Sequence, residues 1–246
     1  MNRPQADIGA RFHEETKIVP GRSGPGSAPL LEPVTAYTAL TWFRLPAAAP
    51  APWPALEEAI VQRRTSRSFD PGAALTPDLL GRLLAFSCGR TGSASFAGAR
   101  RAAPSAGATY PVDAYVVALR VAGVPAGVHV YDVDRHALGL VRPGSFGDRL
   151  TSWTLDQPWV GRAGAVVALV GCSARIGERY AARGYRYMLF EAGHIAQNLY
   201  LLGAGYGIGV QATGGFVDAA VNRLLGLDES LEQALYLVAV GRQQGG

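Results

Sequence analysis

Four stretches of the chain are apolar almost without interruption: residues 114–121, 128–133, 165–171 and 235–240. Each is rich in Val, Leu and Ala and poor in charge, which predicts strands covered on both faces. A shorter strand over 208–211 fits the same reading. Helical spacing separates them. Residues 54–62 put Leu56, Ile60 and Val61 on one side of a short helix. Thr76-Pro77-Asp78 supplies an N-cap, a first-turn proline and an acid for a helix to about residue 87. A long helix is predicted over 176–202, and a shorter one over 217–225 closed by Gly226. Helices and strands alternate irregularly, without repeated βαβ units, so the pattern predicts an α+β fold and not a doubly wound sheet.

Ahead of these elements the character of the chain changes. Residues 21–27 and 46–52 are dominated by Gly, Pro, Ser and Ala and hold no periodic apolar pattern. We therefore expect an N-terminal arm over 1–52 and a folded domain over 53–246, with regular structure starting at Trp53. A composition of 48% hydrophobic and 17% charged residues identifies a globular chain and excludes intrinsic disorder. No apolar run is long enough to span a bilayer, and the first residues lack a secretory signal, which points to the cytoplasm. The net charge of +4 is mild and its arginines are scattered. That argues against a nucleic-acid partner and is compatible with a small anionic cofactor. Cys88 and Cys172 have no metal-like spacing, so free thiols are expected.

Four segments bear on chemistry. In Arg63-Arg64-Thr65-Ser66-Arg67-Ser68-Phe69, alternate residues of an extended chain share a face. Arg63, Thr65 and Arg67 would then present two guanidinium forks and a hydroxyl to a phosphate; a solvated basic turn is the plainer alternative. Residues 101–111 contain a run of small side chains that lets bare backbone approach a flat ligand, or simply turns into the next strand. The Gly-rich run 203–212 follows a helix and enters a strand, the reverse of a dinucleotide fingerprint, so it is not read as one. Glu191-x-x-His194 puts both side chains on one helix face. Without a second such pair a helix-packing hydrogen-bond cluster is expected, and no metal.

Taken in order, these segments resemble the nitroreductase superfamily, and within it the SagB-type (McbC-like) dehydrogenases that oxidise azolines in modified-peptide biosynthesis. The resemblance rests on residues 63–69, 104–111 and 183–187, Glu191-Ala192-Gly193-His194 with Gln197-Asn198-Leu199, Gly214-Gly215-Phe216, residues 225–228 and Gly241-Arg242. Phe12-His13-Glu14-Glu15-Thr16-Lys17 is also similar to a short stretch preceding the domain in that group.

The resemblance implies an FMN-binding α+β fold, a mixed central sheet flanked by helices, and an interlocked homodimer with each flavin at the subunit interface. Arg63, Thr65 and Arg67 match its phosphate and ribityl contacts, and Arg242 a position near the phosphate. Pro104, Ser105 and Gly107 match the loop along the isoalloxazine ring; Gly214 and Gly215 match the segment near its reactive nitrogen. The long helix would be largely dimer core. The implied activity is dehydrogenation of a thiazoline or oxazoline ring on a peptide or carrier-bound substrate, beside biosynthetic partner enzymes, with dioxygen as final acceptor. Alternatives are an NAD(P)H-dependent nitro or quinone reductase and a non-catalytic flavin-binding scaffold. One position departs: azoline-oxidising members carry Lys-Tyr where this chain has Arg179-Tyr180. An arginine keeps its proton and cannot act as a base, which leaves Tyr180 as the candidate for proton transfer.

Overall fold

The computed structural model describes residues 12, 38–48, 56–91 and 100–244. The His13–Lys17 part of the N-terminal resemblance lies outside them. Seven strands form one sheet: β1 (Thr41–Arg44), β2 (Val112–Ala118), β3 (Gly127–Asp132), β4 (Ala137–Pro143), β5 (Ala165–Cys172), β6 (Gly209–Thr213) and β7 (Glu232–Gly241). Their order is β1-β4-β3-β2-β5-β7-β6. Every pairing between these strands is antiparallel, so the expected mixed sheet is corrected. Among the described residues the one parallel contact is an isolated bridge between Leu75 and Val121.

The uninterrupted apolar runs have the cause read from them: both faces are covered. Along β5, Ala165, Val167 and Leu169 face one core while Val166, Ala168 and Val170 face the other. The first core is closed by α2 (Pro77–Cys88), α5 (Ser173–Tyr180) and α6 (Arg183–Tyr206); the second by α3 (Gly147–Trp153), α4 (Pro158–Arg162) and α7 (Asp218–Leu225). Thr76 caps α2 as predicted, its Oγ1 accepting from the Leu79 N–H at 3.3 Å, with Pro77 in the first turn. Gly226 ends α7 in the left-handed conformation.

Four expectations change. Regular structure starts before Trp53, because β1 pairs with β4 and adds a strand to the sheet. β4 itself was not predicted, since Gly139 interrupts its apolar run; a Cβ there would fall 2.8 Å from the Trp42 ring of β1. The helix predicted over 176–202 is two helices, broken at Ala181, whose φ of 47° and ψ of −138° no helix accommodates. Gly184 starts α6 against α5, where a Cβ would meet Ile176 at 2.9 Å. Finally, on α1 (Leu56–Gln62) the buried residue is Ala59, while Leu56, Ile60 and Val61 are exposed.

Cys88 and Cys172 are both free thiols, the first buried and the second partly so. No helix among the described residues is long and apolar enough to cross a membrane. Replacing the α2 cap, Thr76→Ala, is expected to cost about 1 kcal/mol. Urea denaturation checks this: the midpoint falls and the slope is unchanged.

Candidate functional site

The basic run leaves α1 as an extended segment laid along the edge of the sheet. The Ser66 N–H donates to Val210 O at 3.0 Å, Asp70 N–H to Arg242 O at 2.9 Å, and Gln244 N–H to Ser68 O at 3.2 Å. Phe69, buried, anchors its far end. The approach is close because residue 209 is glycine: a Cβ there would sit 2.8 Å from Ser66 Oγ. Two of the even-numbered side chains bond back to the protein. Arg64 donates to Val61 O and Arg63 O at 2.6 and 2.9 Å, and Ser68 Oγ donates to Gln244 Oε1 at 3.0 Å. Thr65 and Arg67 are exposed, as Arg64 and Ser68 are, and Arg63 stacks over the Tyr200 ring at 5.5 Å. The backbone of Arg242 adjoins Asp70, which brings a third arginine to this corner. Among the described residues none of Arg63, Arg67 and Arg242 has a carboxylate partner. Guanidinium groups without carboxylate partners suit an anionic ligand.

The small-residue loop lies elsewhere, under α5. Gly107, Ala108 and Tyr110 all have positive φ (59°, 54° and 45°), a strained path for the two non-glycine residues. A buried ion pair holds it. Arg175 Nη1 donates to Tyr110 O at 2.9 Å and to Asp113 Oδ1 at 3.0 Å, and its Nη2 donates to Asp113 Oδ2. The two side chains are 10% and 3% exposed, so the charges are paired away from water. One turn along α5, Arg179 Nη1 donates to Gly107 O at 3.4 Å. A Cβ on Gly107 would fall 2.6 Å from the Tyr180 hydroxyl, so only glycine admits Tyr180 here. Ser105 Oγ is turned inward and accepts from the Tyr110 N–H at 2.9 Å, which leaves backbone as the outward surface of the loop. Pro104 is exposed beside it.

Behind the loop stands Glu191 of α6, 3% exposed, its Oε1 accepting from the Val112 N–H at 3.4 Å. Burial pushes its carboxyl up to about 7, against the opposing effects of Ser105, Val112, Arg101 and Arg175. His194 is exposed, so the expected Glu191–His194 pairing on one face is corrected; Asn198 instead donates to Ser87 O at 3.1 Å. No group of three or more potential metal ligands occurs among the described residues.

The glycine pair leaves the end of β6 on the way to α7. Gly214 is exposed, with nothing within 4 Å of a Cβ built on it. Gly215 faces Leu155 and Gln157, and Gln157 Nε2 donates to Thr213 Oγ1 at 3.3 Å. The predicted residues thus fall into three groups. Helix α6 links two of them: Glu191 lies behind the loop and Tyr200 under Arg63, roughly 14 Å apart along its axis. Gly209 and Gly214 mark the two ends of β6, about 17 Å apart at strand rise. Residues not singled out from sequence are Arg175, Asp113 and Leu155. A carboxylate inside the apolar run of β2 was the available signal for Asp113.

The molecule is an α+β protein with a cationic corner open at one end of its sheet. The chain belongs to the nitroreductase family, whose model matches residues 60–242. A candidate nitroreductase of Methanocaldococcus jannaschii is 33% identical over 188 residues, covering 76% of this chain and 91% of its own. The trifolitoxin-processing protein TfxB of Rhizobium leguminosarum bv. trifolii is 28% identical over 69% of this chain, which spans 48% of TfxB. Among solved structures, a candidate nitroreductase from Anabaena variabilis has a TM-score of 0.78 at 24% identity, covering 99% of this chain and 49% of its own. The Escherichia coli microcin synthetase McbBCD complex, solved with truncated pro-MccB17 bound, gives a TM-score of 0.65 at 21% identity, over 100% of this chain and 84% of that one. A Desulfovibrio desulfuricans relative in complex with FMN gives 0.54 at 16%, over 78% and 88%. At these identities the structures share the fold.

Because the folded-state value of Glu191 lies above the ordinary 4.5, the folded protein holds a proton that the unfolded chain releases. Its contribution to stability is present below about pH 4.5 and is lost as the pH rises through about 7. Glu191→Gln removes that dependence: melting temperatures of variant and wild type should diverge between pH 5 and 8, with the variant falling less.

Proposed function

We propose that this protein is an FMN-dependent dehydrogenase that oxidises a heterocycle of the thiazoline or oxazoline type in peptide natural-product biosynthesis. The observation that carries the cofactor is the corner of Arg63, Thr65, Arg67 and Arg242, whose guanidinium groups have no carboxylate partner among the described residues. These residues would hold the FMN phosphate. The bare backbone of residues 104–107 would lie along the ring, and Gly214, with open space where a side chain would stand, would let the chain approach the reactive edge. FMN is the ligand with which the Desulfovibrio relative was solved. When bound, it supplies acceptance of a hydride, and dioxygen serves as final acceptor.

The chain's own residues position the substrate and move the proton. Tyr180, wedged over Gly107, presents a hydroxyl at the loop and is the group proposed to carry a proton from or to the substrate. Arg179 beside it keeps its charge and serves electrostatically. A homodimer is part of the reading. Leu56, Ile60, Val61, Leu189 and Phe190 expose apolar side chains on α1 and α6. A second copy would also bring a loop of residues 104–107 to the arginine corner from which it is separated within one chain. TfxB and the McbBCD complex support a peptide substrate and biosynthetic partners. The second reading, an NAD(P)H-dependent nitro or quinone reductase, is favoured by one feature: Arg179 is no base, and a reductase needs none there.

The double substitution Arg63→Ala/Arg67→Ala should yield folded protein that has lost FMN, with affinity down by at least 100-fold for two charge-assisted contacts at about 1.5–3 kcal/mol each. Flavin absorbance after gel filtration, beside an unchanged circular dichroism spectrum, reads this out. Incubating the flavin-loaded protein with an azoline peptide in air should give a mass loss of two hydrogens. No mass loss, with rapid anaerobic bleaching of the flavin by NAD(P)H, would instead select the reductase.

A further inference from the structure

We propose that Arg179 docks a carboxylate carried by the substrate, so that the ring oxidised is the one that ends its peptide chain and bears the free carboxylate. The proposal rests on the reading of the 104–111 loop as the floor of the active site, and it narrows the substrate class. Its starting point is the contrast between two arginines four residues apart on one face of α5. Arg175 is satisfied, donating to both oxygens of Asp113 and to Tyr110 O. Arg179 is not. Among the described residues its one hydrogen bond is the 3.4 Å contact to Gly107 O, at the long limit of such bonds, and its other contact is with the Tyr180 ring, 5.7 Å from the guanidinium carbon.

A guanidinium has five N–H donors in a planar fork. This one is half-buried between the loop and Tyr180, without an ion-pair partner among the described residues. Withdrawing a cation from water is costly unless an anion meets it. The neighbouring charges deepen the need. Arg101 stacks on Tyr110 at 4.9 Å on the loop. Of the nearby acids, Asp113 is committed to Arg175, Glu191 is buried behind the loop, and Glu178 is exposed on α5. The surface above Gly107 is therefore positive.

The chemistry of the fork selects the anion. One guanidinium binds a planar, singly charged carboxylate through two parallel bonds, whereas the doubly charged phosphate has its own corner at Arg63, Arg67 and Arg242. A carboxylate on Arg179 would lie beside the Tyr180 hydroxyl, placing the ring that carries it over the loop.

The test is calorimetric binding of thiazoline-4-carboxylate and of its carboxamide to protein with and without flavin. Wild type should bind the carboxylate at least tenfold more tightly, with affinity falling as salt rises. Arg179→Lys should keep most of the preference and Arg179→Gln reduce it to within twofold, at unchanged melting temperature. Competition by benzoate but not benzamide in wild type gives the same answer without a variant. Equal binding of the two thiazolines, a preference that survives in Arg179→Gln, or binding of neither overturns the proposal. Turnover of both compounds at equal kcat/KM would sink it while leaving the dehydrogenase standing. Arg179-dependent binding without flavin reduction would do the reverse.

Discussion

The ion pair between Asp113 and Arg175 is the fastening on which the candidate site depends. It joins three parts of the chain that share no secondary structure: the start of β2, the loop before it and the helix α5. Both charges are withdrawn from water, so their mutual attraction must repay a desolvation cost of several kcal/mol. Such a pair adds little to net stability compared with apolar residues of the same shape. Losing one partner, however, strands the other charge in the core. What the arrangement secures is position: with Tyr110 O held, the left-handed path through Gly107, Ala108 and Tyr110 has one outcome, and Tyr180 has one place to go.

Charge is distributed unevenly around this fastening. At one end of β6 three arginines lie without a carboxylate partner among the described residues; above the loop a single guanidinium stands beside a tyrosine; behind it burial raises a carboxyl to about 7. These environments differ in the charge they accept.

Much of this was legible in the sequence where local rules decide. The Thr76 cap and the two-faced burial of β5 follow from local rules of the backbone itself. The failures came where a distant partner decides. β1 is a strand because β4 has an edge to pair, and Thr41–Arg44 alone carries no such signal. The break at Ala181 carries no local signal, since Arg179-Tyr180-Ala181-Ala182 holds no glycine or proline. On α1 the apolar stripe was correctly seen and its direction was not: period says which residues share a side, and packing says which side is inside. Glu191 was recognised with the wrong companion, since the backbone and hydroxyl groups it faces come from residues some eighty positions earlier.

The close fit of Tyr180 on Gly107 also limits how this site can change by descent. A side chain at 107 and a hydroxyl at 180 claim the same volume, so neither position can drift alone. Related chains that enlarge residue 107 must shorten residue 180 or let α5 lift away, and with it the fork at 179. The two positions therefore form one heritable unit, and a shift in chemistry at this loop would pass through both together.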